Sequence, residues 1–426
     1  MDVLFVIGLA IVLSYMGALI LKRMGIPQTL GFMIVGIVLG IVGIANDEMI
    51  QSLRMIVSLA LGLIGYNIGH ELRSKTLGSR FKKLIVIVII EATAAFWLVS
   101  LLLFIITGQW HIAILFGAVA SATAPAATAD VVWESEFEGP LTSSLMFVLA
   151  ADDIVAVILT NSAIAYATFF YGATTLTMLE VIVLPILKIF GAAAIGAIFG
   201  FIYLYPVNRE EDRGRLLELE LGMVILLIGL MGILQMSDIF AAMVFGFVVG
   251  KKIDEDKEEV PVLLQKIMSP IIMIFFVLVG ARMASFLTLE STLLTIIGTA
   301  AVYLIGRTVA KYFGAAVGAT IVGEDVTMRK YLGSCLFCQA GVALGLSFII
   351  EETFLTLGGD AATWGTLILG VVALSTMVLE AVGPLSVKYS LEKAGELPED
   401  HEIFEPHTIT KFDGIIEDDR GSCRHE

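Results

Sequence analysis

Apolar windows of about 20 residues, each closed by charged or turn-forming residues, recur along almost the whole chain. Their approximate limits are 3–21, 28–45, 51–71, 84–107, 111–132, 141–168, 177–204, 216–235, 238–250, 261–286, 289–319, 331–351 and 362–388. This pattern predicts an all-α polytopic membrane protein with about 13 transmembrane helices. The ninth window is short for a full crossing. Residues 1–388 form the expected membrane domain and residues 389–426 an acidic tail.

Two windows break the apolar pattern near their centres. The fifth contains Ser121-Ala122-Thr123-Ala124-Pro125-Ala126-Ala127-Thr128, and the sixth contains Asp152-Asp153. A charge at membrane depth costs about 3 kcal/mol on insertion scales, so an intramembrane acidic pair marks a functional site. Pro125 removes a backbone donor, so the fifth window is expected to be a broken helix whose freed carbonyls face a hydrophilic cavity. About ten apolar residues flank the pair on either side, which argues against a helix cap at the membrane surface.

Composition agrees with the pattern. Of 426 residues, 58% are hydrophobic and only 16% charged, with a mean hydropathy of +0.93, which excludes an ordinary soluble enzyme. The net charge of −15 lies largely in loops and the tail and argues against a nucleic-acid partner. Loops after odd-numbered windows hold most of the basic residues, including Lys22, Arg23, Arg80, Lys82, Lys83, Arg213, Lys251, Lys252, Arg329 and Lys330. The opposite side has little beyond Arg54 and Arg282. The positive-inside rule then puts the N-terminus outside and the tail in the cytoplasm of a plasma-membrane protein. No cleavable leader is expected at the N-terminus, because Met1–Leu21 lacks a basic start. Cys335 and Cys338 have redox or metal spacing, but they lie in an apolar window without a second pair, so a packing role is expected.

A repeat appears at an offset of about 210 residues. Gly31–Gly40 and Ala241–Gly250 share a Met-x-x-Gly-x-Val-x-Gly frame, and Thr123–Ala127 falls on Cys338–Val342 within a few residues. Each half would then own one broken helix. The shift spans seven windows, an odd number, so the copies have opposite topology, the inverted-repeat architecture of secondary transporters.

These residues point to a cation and proton site. Neighbours on a helix project about 100° apart, so Asp152 and Asp153 need different partners. One faces a water-filled cavity, and the other pairs with a cation from another helix. Thr123, Thr128 and the half-helix carbonyls add the hard oxygen ligands that alkali ions accept. Arg307 and Lys311, four residues apart in the eleventh window, share a face. Arg307 is the expected partner of Asp152. Lys311, nearer the cytoplasmic end and able to snorkel, is the runner-up. Glu91 and Glu380 also lie within windows and read equally well as cavity, dimer-contact or structural residues. Glu218, Glu220 and Asp238 near window ends read as a solvated face, with an acidic funnel that attracts cations as the alternative. The histidines of the tail, His401, His407 and His425, are candidates for sensing cytoplasmic pH.

An ordered set of motifs now resembles a known family. It comprises Gly25-Ile26-Pro27-Gln28-Thr29-Leu30-Gly31-Phe32 through Gly40, Ser121–Pro125, Ala151-Asp152-Asp153-Ile154, Met236–Gly250, Phe275–Gly280 and Gly306-Arg307. The chain resembles the monovalent cation/proton antiporter superfamily, in its second, Asp-Asp branch, over residues 1–388. The resemblance implies a homodimer with crossed, unwound fifth and twelfth spans and an elevator-like cycle. Core helices would lie at about 84–168 and 289–388, and dimerisation helices at about 1–73 and 177–286. It implies that Asp153 is the principal ion ligand, that Thr123 is the threonine of the broken helix, and that Asp152 pairs with Arg307. Two departures stand out. The place given to Arg307 is usually Lys in this branch, where a releasable ammonium proton has been proposed, and Ala124 stands where the sister branch often has Asp. No Gly-rich βαβ pattern follows the last window, so no nucleotide-binding regulatory domain is expected in the chain.

The expected function is Na+ (or Li+)/H+ antiport, with K+/H+ exchange as the alternative. No cofactor is implied, since the proton gradient supplies the energy, and the surrounding partners are membrane lipids. An intramembrane aspartyl protease is disfavoured, because its two aspartates must approach from different helices. A non-transporting membrane sensor is disfavoured by the minimal tail.

Overall fold

In the computed structural model, residues 2–23, 27–71, 80–172, 178–207, 209–210, 212–253, 259–287 and 290–397 are described. Among them every regular element is helical. The expected behaviour of His401, His407 and His425 lies outside the described residues. In chain order the helices are α1 (Val3–Arg23), α2 (Gln28–Ile41), α3 (Asp47–Ser52), α4 (Arg54–Glu71), α5 (Phe81–Thr107), α6 (Trp110–Ala120), α7 (Pro125–Glu134) and α8 (Pro140–Phe170). Then come α9 (Met178–Val207), α10 (Arg213–Leu234), α11 (Asp238–Lys252), α12 (Glu259–Leu287), α13 (Glu290–Ile321), α14 (Val326–Tyr331), a 3-10 turn (Gly333–Leu336), α15 (Gly341–Leu357) and α16 (Gly359–Ala394).

Every apolar window coincides with a helix or an interrupted pair of helices. Among the described residues eight helices are long and apolar enough to cross a membrane, or nine if α14 with its 3-10 turn and α15, bent by 49°, count as one span. The other windows are short or interrupted. Helix α2 has 14 residues and α11 has 15, while the fifth window divides at Pro125 into α6 and α7. Local chemistry sets many of these ends. Ser237 and Asp325 accept the backbone N–H three residues on, capping α11 and α14, and Gly108 ends α5 in the left-handed region at φ +66°.

Packing reveals the repeat directly. Helix α2 lies along α12 and α4 along α11, and glycines let the backbones touch. A Cβ added at Gly36 would sit 2.1 Å from the Val277 carbonyl oxygen, and one at Gly280 2.1 Å from that of Met33. In the other pair, a Cβ at Gly246 would sit 2.0 Å from the Tyr66 carbonyl oxygen, and one at Gly69 1.8 Å from that of Met243. The two seams are the same contact made twice, with the halves of the chain exchanged. Small residues in such seams let helices associate by close backbone packing where water supplies no driving force.

Helices α1, α2, α4 and α9–α12 pack among themselves, as do α5, α6, α8, α13, α15 and α16. Polar links between the two sets include Thr29 to Glu380 at 2.6 Å, Arg282 to Glu351 at 2.7 Å and Arg54 to Glu352. The outward face of α9 is apolar and exposed at Phe190, Ile198, Phe201 and Ile202, as a lipid-facing helix requires. At the chain's other end α16 runs on to Ala394, past the boundary expected at 388. Just beyond it, the carboxylate of Glu396 accepts from Leu141 N–H at 2.6 Å and from Thr142 N–H at 2.7 Å. Residues assigned to the tail therefore cap α8, because Gly139 before that helix has no side chain to do so.

Candidate cation and proton site

The site lies where two interrupted helices cross. Ser121–Ala124 separate α6 from α7, and Phe337–Ala340 separate the 3-10 turn from α15. Pro125 opens α7 at a position where a helix needs no N–H from it. The breaks are joined to each other by a hydrogen bond from Ala124 N–H to the Cys338 carbonyl, 3.0 Å. On the second break, Gly383 of α16 lies so close to Cys338 that an added Cβ would be 2.4 Å from its Sγ.

Each break frees carbonyls that would be costly to bury unpaired. Arg307 of α13, fully buried, donates to Phe337 O at 2.8 Å, Ala122 O at 2.7 Å and Cys338 O at 3.1 Å. One guanidinium thus ties both breaks together. Its planar fork of donors suits this, since it reaches several carbonyls at once and keeps its charge. Gln339 adds a bond to Val119 O at 3.3 Å and one to the Tyr303 hydroxyl at 2.9 Å.

One turn along α13, the Lys311 ammonium, also fully buried, meets the carboxylates. It donates to Asp152 Oδ2 and to the Ser121 carbonyl, and pairs with Glu91 Oε2 of α5 at 2.9 Å. Thr123 donates its hydroxyl to the same Asp152 oxygen. Asp152 Oδ1 is buried without a hydrogen-bond partner. Asp153 is equally buried on the next residue of α8, rotated about 100° from its neighbour. The pair lies about 18 Å along α8 from Pro140 at 1.5 Å per residue, well inside the helix.

The geometry corrects the expected roles at several positions. Lys311, not Arg307, holds Asp152, because Arg307 is occupied by carbonyls of the two breaks. Lys311 does not snorkel; it has no exposed surface. The expected departure at the lysine position disappears, since a lysine does face the aspartate. The freed carbonyls of Ser121 and Ala122 accept from the protein's own cations rather than standing open to an ion. Thr128 of α7 donates back to the Ala124 carbonyl at the break, 3.3 Å, rather than to Asp152. Thr123 and Pro125 stand at the break as anticipated. Glu91 is the residue whose place the sequence left open. Its signal was visible only as a glutamate inside an apolar window. Glu220, read as solvated, is fully buried.

A family model described as "Sodium/hydrogen exchanger, transmembrane" matches residues 8–393. The chain belongs to this family of monovalent cation/proton antiporters. Its members are transporters rather than enzymes. Among solved structures, the sodium proton antiporter MjNhaP1 of Methanocaldococcus jannaschii at pH 8 is similar, with TM-score 0.76 and 17% identity over 92% of this chain and 98% of that one. An electron-microscopy structure of the same antiporter gives TM-score 0.69 and 18% identity over 93% and 97% of the two chains. At such identities the likeness is one of fold. No curated protein gives a significant match. The exchanger fold with its crossed broken helices is therefore the frame in which the buried cluster sits.

Proposed function

We propose that this exchanger carries Na+ or Li+ out of the cell and protons in, with cation and proton competing at Asp153 and Asp152. The observation that carries this reading is the placement of two buried aspartates at the crossing of two broken helices, one of them held by a buried lysine. Asp153, with the Thr123 hydroxyl oxygen near the break, serves as the principal cation ligand. Asp152 is held in place by Lys311, and its unpartnered Oδ1 completes the oxygen set. Hard oxygen donors suit an alkali ion.

In this proposal α5–α8 and α13–α16 move as a core against α1–α4 and α9–α12, an elevator cycle in which links such as Thr29–Glu380 and Arg282–Glu351 exchange. The helix packing supports that division. The protein works as a homodimer of 13-span protomers in the plasma membrane, N-terminus outside and tail inside. Proton/cation exchange in sealed proteoliposomes with an internal pH dye tests the reading. Na+ or Li+ should dissipate the gradient for the wild type and not for Asp153→Asn. A response to K+ alone would instead establish K+/H+ exchange, and full activity in the variant would remove Asp153 from the site.

A further inference from the structure

Three polar side chains of α13, Tyr303, Arg307 and Lys311, stand four residues apart and fall on one face of the helix. All three are without exposed surface. The two cations serve the breaks. Lys311 bonds Ser121 O and Asp152, and Arg307 bonds Ala122 O together with two carbonyls of the second break. Tyr303 serves them without a charge. Its hydroxyl accepts from the Gln339 amide at 2.9 Å, and its ring packs against Phe116 of α6 with centroids 6.3 Å apart.

Gln339 belongs to the second break, yet its side chain reaches the helix before the first. The same amide nitrogen donates at 3.3 Å to the carbonyl of Val119, which lies in the last turn of α6. Gln339 is fully buried and its Oε1 has no hydrogen-bond partner, so the two N–H bonds are what this amide supplies. Along the first break the anchors then run Val119 to Gln339, Ser121 to Lys311, Ala122 to Arg307 and Ala124 to Cys338. Thr123, whose hydroxyl meets Asp152, stands inside this row. Without the anchor at Val119 the end of α6 can shift against the second break, and Thr123 shifts with it relative to Asp152.

We propose that Gln339, held by Tyr303, is a positioning residue that fixes the spacing between Thr123 and the aspartates and thereby sets which alkali ion the site prefers. The inference rests on the antiport reading above and deepens it. Discrimination between cations of one charge depends on cavity size, ligand number and ligand flexibility. Two neutral hydrogen bonds suit that role, because they stiffen the break without adding charge beside the ion.

The test compares exchange with Na+, Li+ and K+ in proteoliposomes for the wild type, Gln339→Leu, Tyr303→Phe and the double variant, with the thermal midpoint of each purified protein. Gln339→Leu removes both bonds and should raise the KM for Na+ about fivefold, the worth of a net hydrogen bond, while the maximal rate falls less. Its KM for K+ should change little, so the preference between the two ions narrows. Tyr303→Phe frees the amide but leaves the bond to Val119, so it should shift the preference the same way by less. Because the two residues act in series, the double variant should match Gln339→Leu rather than add to it. A merely structural glutamine would lower the thermal midpoint and the maximal rate for all three ions alike, and an unchanged ion preference in Gln339→Leu overturns this inference alone. If Gln339→Leu cannot be purified, Tyr303→Phe decides: a narrowed preference supports the positioning role and an unchanged one overturns it. A wild type that prefers K+ changes the ion of the antiport reading, and loss of that preference in Gln339→Leu still supports the inference. A wild type silent to Na+, Li+ and K+ overturns the antiport reading and this inference with it.

Discussion

Two of the buried carboxylate groups among the described residues are built on opposite principles. In one, Glu220 of α10 has both oxygens occupied by neutral donors, the Tyr66 hydroxyl of α4 on one and the Tyr203 hydroxyl of α9 at 2.8 Å on the other. In the other, Glu91 and Asp152 share the Lys311 ammonium, and Asp152 keeps one oxygen unpartnered. The first group is closed: each lone hydroxyl has one role and three helices are tied by it. The second holds charges in pairs that can be remade when an ion or proton arrives. Burial alone does not make a carboxylate an ion site; what its partners can give up does.

Substituting the shared ammonium should have the largest effect. Lys311→Ala leaves Asp152 and Glu91 facing each other without a cation, and breaking a buried pair from one side costs about 3–5 kcal/mol. Exchange should vanish and the thermal midpoint of the purified protein should fall by several degrees, read by scanning fluorimetry. An unaltered midpoint would contradict the ion-paired cluster. Glu220→Gln sharpens the contrast. Its new amide meets a phenol that was donating, at a cost of about 1–3 kcal/mol, so stability should drop while the sodium dependence of exchange stays that of the wild type. A shifted sodium dependence would mean that the tyrosine-held glutamate joins the transport chemistry after all. Smallest is Tyr203→Phe, which removes one of two hydrogen bonds to Glu220 and should lower stability by about 1 kcal/mol, again without touching exchange.

Much of this architecture was legible from the chain. The apolar windows found the helices, Pro125 among small residues found the break, and the Met-x-x-Gly frame found the repeat that the reciprocal glycine contacts then made physical. The acidic pair pointed to the buried group of charges beside the breaks. Its wiring was not legible. Arg307 and Lys311 share a helix face, so sequence spacing offered both to Asp152, and only the position of the two breaks shows that the guanidinium is taken by Ala122, Phe337 and Cys338. Glu91 and Glu380 looked alike as single glutamates in apolar windows, yet one pairs with Lys311 and the other accepts from Thr29. Glu220 read as solvated because its window boundary, not its neighbours Tyr66 and Tyr203, was what the sequence displayed. Glu396 read as tail for the same reason, although it caps a helix that begins at Pro140.

The sequence by itself determined that this is a membrane-spanning helical protein with two interrupted helices and an acidic pair at depth, because lipid forces backbone polarity into helices and makes every buried charge conspicuous against an apolar background. Tertiary structure alone decided which cation serves which oxygen. Partner choice among buried charges depends on distances of a few ångströms between helices far apart in the chain, here Glu91, Ser121, Asp152 and Lys311, and no local pattern encodes those distances. The sequence supplied the charges, and the crossing of the broken helices paired them.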